Sequence, residues 1–146
     1  MDAPPDACFA VIGRLGGREG WLAFNGLWRL RGFLDLLVGG VGMRRGRPEH
    51  RPLRVGDALD FWRVEAYDPP RRLRLFAEMK LPGRAWLEFV VEPDGAGSRV
   101  IETAMFDPVG ILGRAYWYGV YPFHGLVFGG MIKAIGSRAR LARPER

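Results

Sequence analysis

The sequence predicts an α+β fold in which a curved antiparallel sheet wraps around one long C-terminal helix. Three observations carry this. From Leu59 to Phe106, strand-like segments follow one another across tight turns, and connections this short force antiparallel neighbours, because parallel strands need long crossovers. Within them Arg63, Glu65, Glu78 and Glu102 alternate in step with Phe61, Phe76, Phe89 and Val100, so charge and aromatic bulk share a face. From Gly110 to Leu141 the chain is apolar nearly all the way round. An ordinary half-buried sheet separates apolar from polar side chains. A mixed face beside a greasy helix therefore predicts a pocket between the two, and a container for a small molecule.

The elements follow in order. Pro4-Pro5-Asp6 opens a helix over Ala7 to Leu15, with Phe9, Val11, Ile12 and Leu15 at helical spacing; Pro and Asp suit a first turn. Gly16-Gly17 stops it. Leu27 to Val38 is a second helix, with Leu27, Leu30, Leu34, Leu37 and Val38 in one stripe and Arg29 and Asp35 off it. Gly32 weakens its interior by about 1 kcal/mol relative to Ala, and Gly39-Gly40-Val41-Gly42 ends it. Met43 to Pro52 is a basic loop or edge strand. Four strands follow: Ala58–Tyr67, Arg72–Leu81, Arg84–Glu92 and Arg99–Asp107, separated by Tyr67-Asp68-Pro69-Pro70, Pro82-Gly83 and Asp94-Gly95-Ala96-Gly97. Pro82-Gly83 reads as a type II turn, Pro presetting φ and Gly accepting its positive value.

A two-residue turn at Pro82-Gly83 sets Leu81 opposite Arg84, Glu78 opposite Leu87 and Phe76 opposite Phe89. One face then carries Phe61, Arg63, Glu65, Arg74, Phe76, Glu78, Leu87, Phe89, Val91, Val100, Glu102, Ala104 and Phe106. The other carries Asp60, Trp62, Val64, Leu73, Leu75, Ala77, Met79, Trp86, Glu88 and Val90. A slip of one residue exchanges the two sets.

The 146 residues suit one domain spanning 1–146, and 48% apolar with 26% charged content argues against wholesale disorder. The net charge of +6 comes mainly from Arg, with Lys only at Lys80 and Lys133. The lone Cys8 forms no internal disulfide, and with two His it leaves no Cys/His metal cluster; no metal or cofactor is expected, and a reducing cytoplasm is the default. Met1 to Asp6 lacks the order of a signal peptide. Ala115 to Ile132 just reaches the length of a membrane span, but Pro122 and four glycines interrupt it, and a buried helix is preferred.

Several blocks are familiar together: Leu27-Trp28-Arg29-Leu30-Arg31-Gly32, Gly39-Gly40-Val41-Gly42, Asp60-Phe61-Trp62-Arg63-Val64, Ala77-Glu78-Met79-Lys80-Leu81-Pro82-Gly83, and Tyr116-Trp117-Tyr118 with Pro122-Phe123-His124. Over almost its whole length the chain resembles an uncharacterised bacterial domain family. That domain often follows an NAD(P)-binding Rossmann domain of the short-chain-dehydrogenase or NmrA kind, and also occurs alone. The resemblance implies the START/Bet v 1-like (SRPBCC) superfamily and its helix-grip fold, with a hydrophobic cavity between sheet and helix; it implies no reaction. It favours the Phe61/Glu78/Phe89/Glu102 face as the cavity side. No Gly-x-Gly-x-x-Gly follows a strand, so nothing supports NAD(P) binding by this chain. The helix-grip pattern begins with a strand that Met1 to Ala3 is too short to supply, so that strand is expected to be missing or the start truncated.

The residues expected to touch a ligand are Phe61, Arg63, Glu78, Phe89, Glu102, Tyr116, Tyr118 and His124. His124 beside Pro122 can hold or move a proton near neutral pH; the plainer reading, a core histidine bonded to a freed carbonyl or a carboxylate, is preferred. Glu78 and Glu102 can serve as a general base or polar anchor with pKa raised by burial, with Arg63 as counter-charge and Arg31 in reserve. Their plainer role is an ion-pair network, with Glu65 across from Arg74 and Glu78 paired to Arg63 or Lys80. Tyr116, Trp117, Tyr118, Tyr121 and Phe123 offer rings for stacking, although most are expected to fill core. The glycines 39, 40 and 42 with Arg44, Arg45 and Arg47 open no helix and so make no phosphate cradle. The wider cluster, with Arg51 and Arg54, lacks interleaved aromatics and is read as a solvated loop rather than a nucleic-acid surface.

The leading expectation is binding of a hydrophobic or amphipathic small molecule. The alternatives are a cyclase, isomerase or hydratase using Glu78, Glu102 or His124, and an accessory domain docking on a separate Rossmann protein; a homo-oligomer is also compatible.

Overall fold

Five strands make one antiparallel sheet in chain order, and the helix that follows them runs back across it. In the structure, a computed structural model describing residues 1–17, 20–42, 45–48 and 50–142, the order is α1 (Pro5–Ile12), α2 (Asn25–Leu37), β1 (Ala58–Leu59), β2 (Trp62–Asp68), β3 (Arg72–Ala77), β4 (Gly83–Asp94), β5 (Gly97–Pro108) and α3 (Gly110–Leu141). The sheet is curved and unclosed, with strand order β1-β2-β3-β4-β5. This is the α+β helix-grip arrangement. α1 starts at Pro5, with Asp6 in its first turn, where a fixed φ and a negative charge favour the helix N-terminus.

Before α1, Met1 and Ser98 exchange two backbone hydrogen bonds of 2.6 and 3.0 Å, so the chain's first residue pairs with the start of β5 as a strand residue does. At that end Met1 also packs against Gly136 of α3. At the other end the Phe106 ring stacks on Trp117, 5.5 Å between centroids. α3 therefore runs antiparallel to β5 along its length. Ala115–Ile132 lies within α3, and among the described residues no helix is long and apolar enough to cross a membrane.

Two expectations about the sheet are corrected. The segment Ala58–Tyr67 is not one strand: Leu59 pairs with Trp62, leaving Asp60-Phe61 as a two-residue hairpin turn. Asp60 adopts φ +53°, as such turns require. Phe61 thus sits in a turn and does not share the strand alternation. Pro82-Gly83, in turn, is not the whole connection between β3 and β4. β3 ends at Ala77, and Glu78 to Pro82 form a longer loop, so Phe76 pairs with Trp86 and Leu75 with Leu87. That is an odd displacement from the expected register, and it exchanges the faces of β3 relative to β4.

The inner face consequently carries Leu73, Leu75, Ala77, Leu87, Phe89 and Val91, all buried, with Trp62 and Val64 of β2. The outer face holds the charge. Arg74 binds Glu65 at 2.8 Å, as expected from the sequence, although Glu65 is the extra residue of a bulge rather than a direct cross-strand partner. Arg72 binds Glu88 at 2.7 Å, and Phe76 packs on Trp86. Charge and aromatic bulk do share a face on β2 and β3, but it is the face turned away from the helices.

Helix α2 reverses its expected orientation. Leu30, Phe33, Leu34, Leu37 and Val38 are exposed, while Gly32 and Asp35 are buried. Polar bonds hold the helix instead. The Asp35 carboxylate accepts from the backbone N–H of Lys80 (2.5 Å) and of Gly42 (2.9 Å), and Gly40 lies so close to it that a side chain there would collide.

Candidate functional site

A pocket of about 330 Å³ opens between the sheet, α2 and the first half of α3. Its floor is Ala85 and Leu87 of β4 with Ala104 and Phe106 of β5. The two alanines are small residues at inward positions, so the sheet stops short of the helix above it. Leu27, Leu30 and Leu34 of α2 form one wall and Trp117, Val120, His124 and Phe128 of α3 the other. Trp28, Phe61 and Trp62 close one end.

That closed end is a cluster of rings. Trp21 stacks on Trp28 at 4.8 Å, and Phe61 lies 5.9 Å from Trp28 and 5.7 Å from Trp62. The hairpin turn holds it in place: the buried Asp60 carboxylate accepts from Trp21 Nε1 at 2.8 Å and from the Gly17 N–H at 3.1 Å. The indole N–H groups of Trp28 and Trp62 are buried and have no acceptor among the described residues. Buried donors of this kind are rare because each costs about 1–3 kcal/mol.

The sequence-predicted residues separate into four groups. Phe61, Tyr116 and His124 line the pocket. Phe89 is in the solid core, wholly buried, and Tyr118 points to solvent; neither lines it. Arg63 and Glu78 are on the outer side, engaged with each other. Glu78 Oε1 accepts from Arg45 Nη1 at 2.6 Å and from Arg63 Nε at 2.9 Å. Burial pushes the Glu78 carboxyl upward, but the bonds and charges of Arg45 and Arg63 outweigh it and hold it below the ordinary value. This is the structural ion-pair reading, with Arg45 as a partner the sequence did not reveal. Of the wider basic run, Arg44 lies outside the described residues, and Arg51 binds Asp57 bidentately at 2.7 and 2.8 Å.

Glu102 behaves in the opposite way. It sits across from Phe89 on the inner face without lining the pocket, and both carboxylate oxygens are buried with no hydrogen-bond partner among the described residues. Burial alone raises its pKa from 4.5 to about 8, so it is mostly protonated at neutral pH. His124 lies between Trp117 and Phe128, with ring centroids 5.2 and 5.1 Å away. Its Nδ1 has no partner among the described residues, and burial lowers its pKa, which favours the neutral ring. Because α3 runs back along β5, both groups fall between the Phe106–Trp117 end and the Met1–Gly136 end of the pair.

The residues that sequence reasoning missed are Trp28, Trp62, Asp35 and Arg45. Asp35 carried a signal: a carboxylate in the last turn of a helix opposes the macrodipole and needs other donors. Gly40, a few residues on, supplies the room for it.

Residues 1–131 match the family described as "Protein of unknown function (DUF2867)", and the chain belongs to that family. No curated protein matches it. Among solved structures it is similar to CalU16 from Micromonospora echinospora, at 15% identity and TM-score 0.44, covering 97% of this chain and 80% of that one. It is also similar to protein CV1439 from Chromobacterium violaceum, at 18% identity and TM-score 0.49, covering 99% and 93%.

Proposed function

We propose that this protein binds a hydrophobic or amphipathic small molecule between the sheet, α2 and α3. The observation that carries the reading is the pocket of about 330 Å³ floored by Ala85 and Ala104, a size within the usual range for small-molecule sites. Apolar walls supply affinity through burial, at about 25 cal/mol per Å² of apolar surface removed from water. The helix-grip architecture supports placing the chain in the START/Bet v 1-like superfamily, and the lone buried Cys8 is in keeping with a cytoplasmic location.

The test has two parts. Native mass spectrometry of the purified protein should show a species heavier than the polypeptide by one small molecule. Nile red, a neutral dye, should bind with a rise in fluorescence that Ala104→Phe abolishes while the thermal midpoint stays within about 5 °C. Equal Nile red binding by the wild type and the filled variant removes the site from consideration.

A second reading rests on Glu102 and His124. One is a carboxylic acid held neutral and the other an imidazole held neutral, and groups pushed apart in this way suit acid and base roles. It makes the protein a cyclase, isomerase or hydratase in which His124 is the group that faces the ligand, because Glu102 does not line the pocket and the Glu78 carboxylate is spent on two guanidiniums. His124→Gln should then abolish turnover of a bound ligand while retaining its binding. Docking on a Rossmann-type partner draws support from the exposed apolar side chains of α2 and α3, and co-purification from the source cell tests it.

A further inference from the structure

The polar atoms around the pocket are nearly all donors. No Asp or Glu is among its lining residues. Trp28 and Trp62, which border it, carry buried indole N–H groups without acceptors among the described residues. At the mouth stands Arg31 of α2. Its Nε donates to the Tyr116 hydroxyl at 3.2 Å and its Nη2 to the Lys80 carbonyl at 3.0 Å.

Those two bonds fix the guanidinium plane and leave both Nη1 protons and one Nη2 proton unspent. No carboxylate pairs with it among the described residues; Asp35, one turn along the same helix, is taken up by the Lys80 and Gly42 N–H groups. The Tyr116 hydroxyl, used by Arg31 as an acceptor, keeps its own proton to give. A preorganised planar cation with a neighbouring hydroxyl, at the mouth of an apolar pocket, matches one chemistry in particular.

Resting on the binding reading above, we propose that the ligand is a lipophilic monocarboxylate, its carboxylate held at the pocket mouth by Arg31 and Tyr116 and its apolar body lying over Ala85 and Ala104. Placing the charge at the rim keeps its desolvation cost low, while a bidentate guanidinium grip adds both strength and orientation. The same tail ending in an alcohol or ester forgoes that grip.

The experiment is displacement of Nile red, read by dye fluorescence and by quenching of the pocket tryptophans, using decanoate, decanol and methyl decanoate at neutral pH. Decanoate should displace the dye at a concentration lower by about ten-fold or more than either neutral analogue, as one charge-assisted hydrogen bond implies. Arg31→Gln should erase that preference and leave decanol affinity within about two-fold of wild type, and Arg31→Lys should restore part of it. Arg31 also braces α2, so Tyr116→Phe provides a second variant, expected to weaken decanoate selectively. A merely structural Arg31 would shift acid and alcohol together. Equal displacement by decanoate and its methyl ester in the wild-type protein overturns this inference and leaves the pocket standing. Absence of any dye or decanol binding overturns the pocket reading itself, and this inference with it.

Discussion

The two halves of α3 are similarly apolar and end in opposite situations. In the second half Val127, Met131, Ile135 and Ala139 recur at helical spacing and are buried against α1 and the sheet. In the first half only Gly113 is buried, and Ile111, Leu112, Tyr121 and Phe123 are exposed. The helix itself does not differ enough to explain this. What differs is the opposing surface: Phe89, Val91 and α1 under the second half, Ala85 and Ala104 under the first. Burial of an apolar residue is decided by what reaches it from the other side.

The sharpest way to break this comparison is to truncate one residue in each half. Ile135→Ala should cost about 2–5 kcal/mol in urea denaturation, as deletions in solid core do. Leu112→Ala should stay within about 0.5 kcal/mol, in the range of surface substitutions. Similar losses at both positions would mean that the open half is packed in solution.

Next comes the tether of α2. Asp35→Ala leaves the Lys80 and Gly42 N–H groups without an acceptor, a loss of about 2–6 kcal/mol at about 1–3 kcal/mol for each orphaned group. Asp35→Asn, which keeps one acceptor oxygen, should recover part of it.

Glu102 lies between the two halves and reports on pH. Its folded pKa of about 8 stands above the ordinary 4.5, so between those values the folded state binds more protons than the unfolded one. Its contribution is therefore complete below pH 4.5 and is lost as pH rises through about 8. The full difference is worth roughly 5 kcal/mol at most, and about 2 kcal/mol once the site relaxes. Glu102→Gln should flatten the decline and raise the thermal midpoint at pH 9. His124 works at the other end: its lowered pKa gives stability that is present above pH 6.5 and lost as pH falls through the folded value.

The smallest effect is on the outer face, remote from both halves. Glu78→Gln should cost under about 1 kcal/mol, as partly exposed ion pairs do, and leave Nile red binding unchanged. A loss of dye binding there would place Glu78 in the pocket after all.

The order of elements was legible because each has a local cause. Turn residues bracket the strands, Pro4-Pro5 opens α1, and a long, mostly apolar stretch makes α3, whose bounds were read directly. Which face of the sheet points inward was not legible, because a loop from Glu78 to Pro82 in place of a tight turn changes the register by an odd number. Neither feature has a signature beyond Pro-Gly, which suits both. Of the residues expected from chemistry alone to touch a ligand, His124, Tyr116 and Phe61 line the pocket. Arg63 and Glu78 were misplaced by the register, and Trp28 lay hidden in a helix whose leucines looked like its buried side.

The Asp35 anchor, the Arg31 bonds and the stacked Trp28 ring hold α2 along its inner side, while its leucines lean over the pocket without being buried. On the binding reading proposed above, amide deuteration in α2 should run ahead of that around Met131 and slow when the pocket is filled.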